Sequence, residues 1–321
     1  MKQLFSILAV AGSVIVPAYA DFKPSSTSLS QVDKNGNFGV SNINDLKKST
    51  PPSFAESKKL EQEDKQLTRK ERSAIKKQCE KLTSGRDAKD LSLKELRQAA
   101  DLSLKIASYD KEWYEKSIRY LTQLMNKTKD SEQLKSLNLE IADLYFNHGN
   151  LELAQKEFAQ YGELYPGAEH AEYAQYKKIL CQFYQTYQTD QDQLPTLTTK
   201  KLAQTYLDTG SFKHYRSEIK DIVKHCTLML YQSEVNVFNF YFKKKSYTAA
   251  SQRLSHLKKE FVPQIAGIEP EVITLECRLA QAQGNTEVYN ERLAYLQKKY
   301  PLYETPTRVA SRTKKSHAER F

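Results

Sequence analysis

Apolar residues recur every three or four positions along most of the chain, which is the spacing of an amphipathic helix. The pattern is clearest over residues 135–168, where a glycine separates two helical stretches and a proline follows the second. Small residues stand where the two helices would cross, because a small side chain lets the helices approach each other. The positions that carry the pattern are Ile141, Ala142, Tyr145, Gly149, Ala154, Phe158 and Pro166. The spacing predicts a 34-residue helix-turn-helix repeat.

Similar spacing on both sides of this unit is typical of tetratricopeptide repeats. A first repeat is predicted over 98–130, although it lacks a turn glycine, and a third begins near Ala174. The polar stretch 189–195 interrupts the third repeat where its turn is expected. Its return helix is therefore predicted later, at about 197–208, after an extended loop.

The C-terminal half continues the helical pattern without an alternating strand run. A long helix is predicted from about Ser217 to Lys244, and its second half also begins a fourth repeat. A fifth repeat runs from Pro270 to Pro301. We therefore predict an all-α fold, an α-solenoid of about five tetratricopeptide-like helix-turn-helix repeats.

The two ends of the chain differ in composition from this middle. Lys2, an apolar run and a small-x-small triplet before Asp21 predict a signal peptide that is too short to act as a membrane anchor. A lipoprotein would carry a cysteine where Asp21 stands, so membrane association is expected to be indirect. The predicted segments are 1–20, signal peptide; 21–64, flexible linker; 65–92, N-terminal helical extension; 93–210, repeats 1–3; 211–302, repeats 4–5; and 303–321, basic flexible tail.

The net charge of +10 raises the question of a nucleic-acid partner. Export argues against one, and many lysines alternate with acidic residues along the predicted helices, as over 111–116. A solvated helix surface is the simplest interpretation of this charge. Attraction to anionic lipid or to an acidic protein stays open for the clusters of lysine and arginine.

The four cysteines of an exported chain could form two disulfides, with three possible connectivities. Packing offers another interpretation, since Cys181 and Cys277 fall at the repeat position that Ala142 fills. Cys226 lies on an apolar helical stripe and is interpreted in the same way. Cys79 is predicted to be the most exposed of the four.

No motif points to catalysis or to a bound metal. His225 and Cys226 are adjacent and project about 100° apart on a helix, and no histidine has the companions of a zinc site. Asp190 and Asp192 lie in a polar loop, where solvation or helix capping is the ordinary role of such carboxylates. No phosphate-binding glycine loop and no nucleophile elbow is found. The prediction is a binding protein that has no cofactor, no metal and no enzymatic activity.

The order of the repeats resembles the BamD family, the tetratricopeptide component of the bacterial β-barrel assembly machine. The resemblance covers about residues 95–302 and depends on the interrupted third repeat, on SEVNVFNFYFKKKSYTAASQRL at 233–254 and on LAQAQGNTEVYNERLAYLQKKYP at 279–301. It implies a periplasmic scaffold, peripherally associated with the inner face of the outer membrane. Its implied partners are unfolded outer-membrane barrel proteins and the periplasmic domains of a BamA-like barrel insertase. Two departures are Asp21 in place of the lipid-bearing cysteine and the long segment 21–90 before the first repeat.

The resemblance also places two candidate sites. The N-terminal repeats would bind the substrate peptide through residues off the packing stripe of their first helices, with amides pairing with the peptide backbone and Phe146 holding an aromatic side chain. Those residues are Ser136, Leu139, Asp143, Phe146 and Asn147 in the second repeat and Gln175, Lys178, Gln182 and Gln185 in the third. The insertase would dock on a basic edge of the C-terminal repeats. That edge comprises Lys243, Lys244, Lys245, Tyr247 and Arg253.

Alternatives remain at this level. Each candidate residue could be ordinary solvated helix surface, and the lysine run could serve solubility alone. A periplasmic repeat adaptor for cell-envelope tethering or for regulation of peptidoglycan synthesis is the second candidate function. An enzyme with a helical accessory domain is disfavoured, because no catalytic group of residues is found.

Overall fold

A computed structural model describes residues 67–186 and 189–303, so the predicted signal peptide, the whole of the predicted linker and all but the first residue of the predicted tail lie outside the described residues. These two stretches contain eleven α-helices, one short 3-10 helix and no β-strand. The helices are α1 Arg69–Thr83, α2 Leu93–Ala107, α3 Lys111–Lys127, α4 Ser131–Asn147, α5 Leu151–Leu164, α6 Ala171–Tyr184, α7 Leu194–Asp208, α8 Arg216–Lys243, α9 Tyr247–Glu260, α10 Glu269–Ala282 and α11 Thr286–Lys299; the 3-10 helix is Ala88–Asp90. The all-α prediction is confirmed.

Consecutive helices pack against each other along the chain, as in a tetratricopeptide-like solenoid. The helix pairs are α2 and α3, α4 and α5, α6 and α7, α8 and α9, and α10 and α11. We call them repeats 1 to 5. Helix α1 precedes repeat 1 and packs on α2.

Polar side chains define where the first helices begin. Thr68 and Ser92 form capping boxes with the glutamates three residues later, at the starts of α1 and α2. Asp110 and Asp130 accept hydrogen bonds from backbone N–H groups in the first turns of α3 and α4. Each cap satisfies a backbone donor that the helix itself leaves unpaired.

The interior consists of several apolar clusters distributed along the solenoid. One joins α1 to repeat 1 and the start of repeat 2. A second joins repeats 2 and 3 to the first half of α8, and a third joins the second half of α8 to α9 and α10. The long helix predicted from about Ser217 to Lys244 is confirmed as α8, with 28 residues.

Repeat 3 is irregular where the sequence predicted an interruption. Its first helix ends at Tyr184, and its return helix begins only at Leu194. The predicted start near residue 197 was therefore three residues late. Asp192 accepts a hydrogen bond from the N–H of Leu194 at 3.1 Å, so its carboxylate satisfies the first backbone donor of α7.

All four cysteines are buried free thiols, so the packing interpretation is confirmed and the disulfide alternative is wrong. The prediction that Cys79 is the most exposed is also wrong, because its exposed fraction is only 1%. Helix α1 packs on α2 and places the Cys79 thiol 3.9 Å from the carbonyl oxygen of Ala99, to which it donates. Burial raises the pKa of the Cys181 and Cys226 thiols to about 12, which keeps them protonated.

Candidate functional site

Two of the predicted peptide-contact residues do not line a surface. Leu139 and Phe146 lie in the apolar cluster that joins repeats 2 and 3, with exposed fractions of 8% and 2%. The expectation that these two side chains lie off the packing stripe is therefore wrong. Helix α4 packs against its own return helix and also faces α6 of the next repeat, so a wider part of its surface is buried than one stripe predicts.

Phe146 is an internal contact between α4 and α6. The ammonium of Lys177 lies 4.0 Å from the centroid of the Phe146 ring, and the Tyr184 ring lies 6.3 Å away. Lys177 itself is buried, with an exposed fraction of 5%. The cation–π contact therefore lies in the interior, where removal from water strengthens such contacts.

Four of the predicted polar contacts are bonded within the fold. Asp143 accepts a hydrogen bond from the Tyr173 hydroxyl at 2.6 Å, which links α4 to α6. Gln182 and Gln185 both bond the side-chain amide of Gln155 on α5, at 2.8 and 3.0 Å. Ser136 donates to Glu140 within α4 at 3.4 Å. These groups can meet a peptide only by sharing or exchanging their present partners.

The remaining predicted contacts reach the surface. Asn147 is exposed at the end of α4, and Gln175 and Lys178 are half-buried on α6. They lie on the first helices of repeats 2 and 3. The structure therefore places Leu139 and Phe146 in the interior and leaves the other predicted peptide contacts half-buried or exposed on these two helices.

Glu172, which the sequence did not single out, holds the irregular third repeat together. Its carboxylate accepts hydrogen bonds from the Tyr206 hydroxyl on α7 at 2.5 Å, from the backbone N–H of His214 at 2.6 Å and from the N–H of Tyr215 at 3.4 Å. The His214 ring lies 2.8 Å from the second oxygen. Burial alone would raise the pKa of Glu172, but the hydrogen bonds from Tyr206, His214 and Tyr215 lower it below its usual range. A carboxylate 42 residues before His214 carries no local signal, so sequence reasoning had no means of finding this contact.

The predicted docking edge is a turn of three consecutive lysines between α8 and α9. Lys243, Lys244 and Lys245 are all exposed. Lys245 has a φ of 57°, in the left-handed region that L-residues rarely adopt. The equivalent position is Gly149 in repeat 2, with a φ of 81°, and Gly284 in repeat 5, with a φ of 72°.

The three turns share one hydrogen-bonding pattern. The N–H after the left-handed residue donates to a carbonyl five positions earlier, from Asn150 to Tyr145 at 2.9 Å in repeat 2. The same bond joins Ser246 to Tyr241 at 3.0 Å in repeat 4. Repeat 4 therefore makes a glycine-type turn with a lysine at the glycine position.

The other two predicted docking residues lie beside this turn. Tyr247 is half-buried, with its ring 6.0 Å from the Phe242 ring. The Arg253 guanidinium lies 3.6 Å from the carboxylate of Glu234 on α8. Tyr247 and Arg253 thus support the packing of α9 on α8, while the lysines face solvent.

An exposed aromatic residue next to the lysines escaped the sequence analysis. The exposed fraction of Phe240 is 56%, whereas Phe238 is fully buried. Two residues along a helix differ by about 200°, so burying Phe238 turns Phe240 outward. The helical rotation between positions 238 and 240 is a local signal in the sequence that predicts this difference in exposure. Phe240 stands three residues before Lys243, on the same face of α8.

Neither a metal site nor a membrane span is found in the part of the chain that the structure describes. No group of three histidine, cysteine, aspartate or glutamate side chains there could hold a metal ion. No helix among residues 67–186 and 189–303 has the length and apolar character needed to cross a bilayer.

Comparison with known proteins gives one result. No curated protein matches the chain significantly. A family model described as YfiO, outer membrane lipoprotein, matches residues 105–292, from the end of α2 to α11, and this is a BamD-like family. Because the match spans more than half of the chain, the protein belongs to the YfiO family of outer membrane lipoproteins.

Proposed function

We propose that the protein is a non-catalytic scaffold in the periplasm that helps to assemble outer-membrane β-barrels. Its N-terminal repeats bind unfolded barrel proteins, and its C-terminal repeats dock on the periplasmic domains of a BamA-like insertase. Membership of the YfiO family supports a role in outer-membrane assembly. The solenoid supports a role in binding, since stacked repeats present extended surfaces to partners.

The lysine turn between α8 and α9 is the observation that carries the docking half of the proposal. A left-handed L-residue costs roughly 1–2 kcal/mol, and glycine at position 245 would avoid that cost. Local strain of this kind concentrates at functional sites. Lys245 is therefore better explained by a partner that uses its charge than by the folding of the turn.

The surroundings of this turn indicate the chemistry of the partner. Three exposed ammonium groups favour an acidic surface and speed the encounter with it. Exposed Phe240 adds an apolar contact on the same side of α8. The docking site that we propose therefore consists of Phe240, Lys243, Lys244 and Lys245, with Tyr247 and Arg253 holding α9 in place.

For peptide binding, we propose the surface polar residues Asn147, Gln175 and Lys178 as the direct contacts. Their side chains offer amide and ammonium groups to an extended peptide backbone. Ser136, Asp143, Gln182 and Gln185 contribute by exchanging partners when the peptide arrives. Leu139 and Phe146 do not contact the peptide, but they pack beneath this surface and support it.

The docking half is tested with Lys245→Gly. This variant removes one charge and also relieves the left-handed strain, so its free energy of unfolding should rise by about 1 kcal/mol. Capture of the insertase in a crosslinked pull-down from envelope membranes should nevertheless fall. Adding Lys243→Glu and Lys244→Glu should abolish capture. Lys259→Glu, on the exposed side of the same helix pair, is the matched charge control and should leave capture unchanged.

Two outcomes of this experiment contradict the proposal. Undiminished insertase capture by the triple variant removes the lysine turn from the interface. Recovery of only tethering or wall-synthesis proteins by the wild type points instead to the envelope-tethering adaptor. A more stable variant that binds less cannot be explained as a folding defect.

The peptide half is tested by titrating a barrel-derived C-terminal peptide. The double variant Gln175→Ala, Lys178→Ala should bind the peptide about tenfold more weakly, which is the effect of losing one or two interface contacts. Gln160→Ala, an exposed glutamine on α5, is the control. Equal peptide affinity in wild type, double variant and control would remove α6 from the peptide site.

A further inference from the structure

A pocket of about 360 Å³ lies at the N-terminal end of the solenoid, away from both sites proposed above. It is bounded by the end of α1, by the turn that follows α1 and by one face of α3. The residues from α1 and the turn precede the region matched by the family model. The pocket is small, at the lower end of the range for small-molecule sites.

The two walls of the pocket carry opposite charges. Lys116 and Arg119 line it from α3, three residues apart and therefore neighbours on one helix face. Glu80 lines it from α1, and Asp87 lines it from the turn; Arg86 also lines it from the turn, but its charge is paired with that of Glu95. Among the described residues, no ion pair joins one wall to the other. A ligand could therefore satisfy both walls at once.

Existing ion pairs leave one charge of each sign available. Lys116 pairs with Glu112 at 2.7 Å, and Asp87 pairs with Lys89 at 3.7 Å. Within residues 67–186 and 189–303, the side chains of Glu80 and Arg119 take part in no ion pair.

The turn that forms one side of the pocket is held in place before any ligand binds. The Arg86 guanidinium bonds the Glu95 carboxylate at 2.6 Å and also donates to the carbonyl of Thr83. Gly85 has a φ of 71°, and no atom lies within 4 Å of the position where its Cβ would stand. These bonds favour the present shape of the turn and leave the space beside Gly85 open, which lowers the cost of ordering the turn on binding.

We propose that this pocket binds a zwitterion that carries a phosphate ester and a primary amine a few atoms apart, with phosphoethanolamine as the simplest member. Arg119 binds the phosphate with Lys116 beside it, since a guanidinium fork matches phosphate oxygens. Glu80 and Asp87 bind the ammonium. A simple anion would meet the unpaired Glu80 carboxylate without compensation, and a simple cation would meet the unpaired Arg119 guanidinium. The ligand is either free in solution or the headgroup of a phospholipid.

The chain carries its own reporter for this site. Trp113 is the single tryptophan of the protein. It is buried, and the Lys116 ammonium lies 4.3 Å from its ring centroid. A phosphate that draws Lys116 toward the pocket changes this cation–π contact, so the Trp113 emission should respond to binding.

The test is a fluorescence titration of the full chain with O-phosphoethanolamine, checked by calorimetry. We expect saturable binding, with inorganic phosphate and ethanolamine each binding at least about tenfold more weakly, because each satisfies only one wall. Arg119→Gln and Glu80→Gln should each weaken phosphoethanolamine binding by a similar factor. Lys201→Gln and Glu163→Gln, exposed residues in repeats 3 and 2, are the matched controls and should have no effect.

Sedimentation with vesicles then separates the two sources of the ligand. Arg119-dependent binding to phosphatidylethanolamine vesicles, with none to phosphatidylcholine vesicles, identifies the lipid headgroup. Binding of free phosphoethanolamine without vesicle binding identifies a soluble ligand. The absence of any calorimetric signal with phosphoethanolamine overturns the site. Equal binding of inorganic phosphate, with no effect of Glu80→Gln, overturns the zwitterionic ligand. These results do not depend on insertase docking, because none of the variants touches the lysine turn.

Discussion

Repeats 2 and 3 begin with neighbouring helices, α4 and α6, but they close in different ways. Repeat 2 turns back within three residues, around Gly149, and its return helix α5 packs against its own first helix. Repeat 3 needs nine residues before α7 begins, and α7 packs mainly on α8. The first closure is a local turn, whereas the second depends on partners from elsewhere in the chain.

The difference shows what replaces a turn when the turn is lost. In repeat 3 the Glu172 carboxylate holds both the end of α7 and the segment that leads into α8. In repeat 3 one half-buried carboxylate thus has the role that backbone geometry has in repeat 2. The stability of repeat 2 should depend on glycine and on packing, and that of repeat 3 on charge.

Removing the aromatic ring between these two repeats should have the largest effect. Phe146→Ala leaves a cavity beneath Lys177 and should lower the free energy of unfolding by about 3–5 kcal/mol. Unfolding in denaturant measures this change in free energy. Leu153→Ala is the control on α5, because 39% of that side chain is exposed, and it should cost far less. A stable Phe146→Ala variant that loses peptide binding alone would restore Phe146 as a surface anchor.

Removing the charge of Glu172 should have the second-largest effect on stability. Glu172→Gln weakens several hydrogen bonds to a half-buried carboxylate and should lower the free energy of unfolding by about 1–3 kcal/mol. Hydrogen exchange should quicken in residues 194–215 and remain unchanged in α4 and α5. Glu163→Gln, exposed at the end of α5, is the control. Equal acceleration in both repeats would show that they do not close independently.

The turn of repeat 2 is tested by a pair of glycines within that repeat. Gly149→Ala forces an L-residue to a φ of 81° and should cost roughly 1–2 kcal/mol. Gly162→Ala lies within α5 with no atom close to the new methyl group, and should stabilise by about 0.5–1 kcal/mol. Thermal unfolding measures both variants. A lower unfolding temperature for Gly149→Ala and a higher one for Gly162→Ala would show that repeat 2 needs glycine at its turn and not elsewhere. A destabilising Gly162→Ala would contradict it.

The smallest expected effect is a difference between repeats 2 and 3 in how their stability depends on pH. The pKa of Glu172 is lowered, so its stabilisation is present above its ordinary pKa of 4.5 and is lost as the pH falls through the lowered value. Burial, with a smaller contribution from Lys111, lowers the pKa of His148, which stacks on Tyr114 at 3.6 Å beside the turn of repeat 2. The folded state then disfavours the protonated ring, so stability falls as the pH drops below 6.5.

The two pH windows can be measured separately. In His148→Gln, the midpoint of unfolding should change less with pH between about pH 5 and pH 7, which is the range in which histidine ordinarily titrates. In Glu172→Gln, the midpoint of unfolding should become less dependent on pH only below about pH 4.5. If both variants act in the same window, the assignment of one titrating group to each repeat is wrong.

Much of the fold followed from helical periodicity, and most of the errors have one cause. The interrupted third repeat, the long helix and the buried Cys181 and Cys277 could be predicted, because turn residues and apolar spacing are local signals. The burial of Phe146 and Cys79 could not, since periodicity identifies an apolar face but not the number of neighbours that cover a helix. The Glu172 contact was beyond reach for a related reason, because its partners follow 34 or more residues later. The peptide and docking sites stay predictions, with their exposed members now separated from the buried ones.

Helix α8 fixes a length as well as a connection. At about 1.5 Å per residue, its 28 residues form a rod of about 42 Å. Ile219 and Ile222 anchor one end in the cluster of repeats 2 and 3, and Val235 and Phe238 anchor the other in the cluster of repeats 4 and 5. Neither end can shift along the axis without pulling the other. The helix therefore acts as a ruler that fixes the separation of the two apolar clusters in which its ends are anchored.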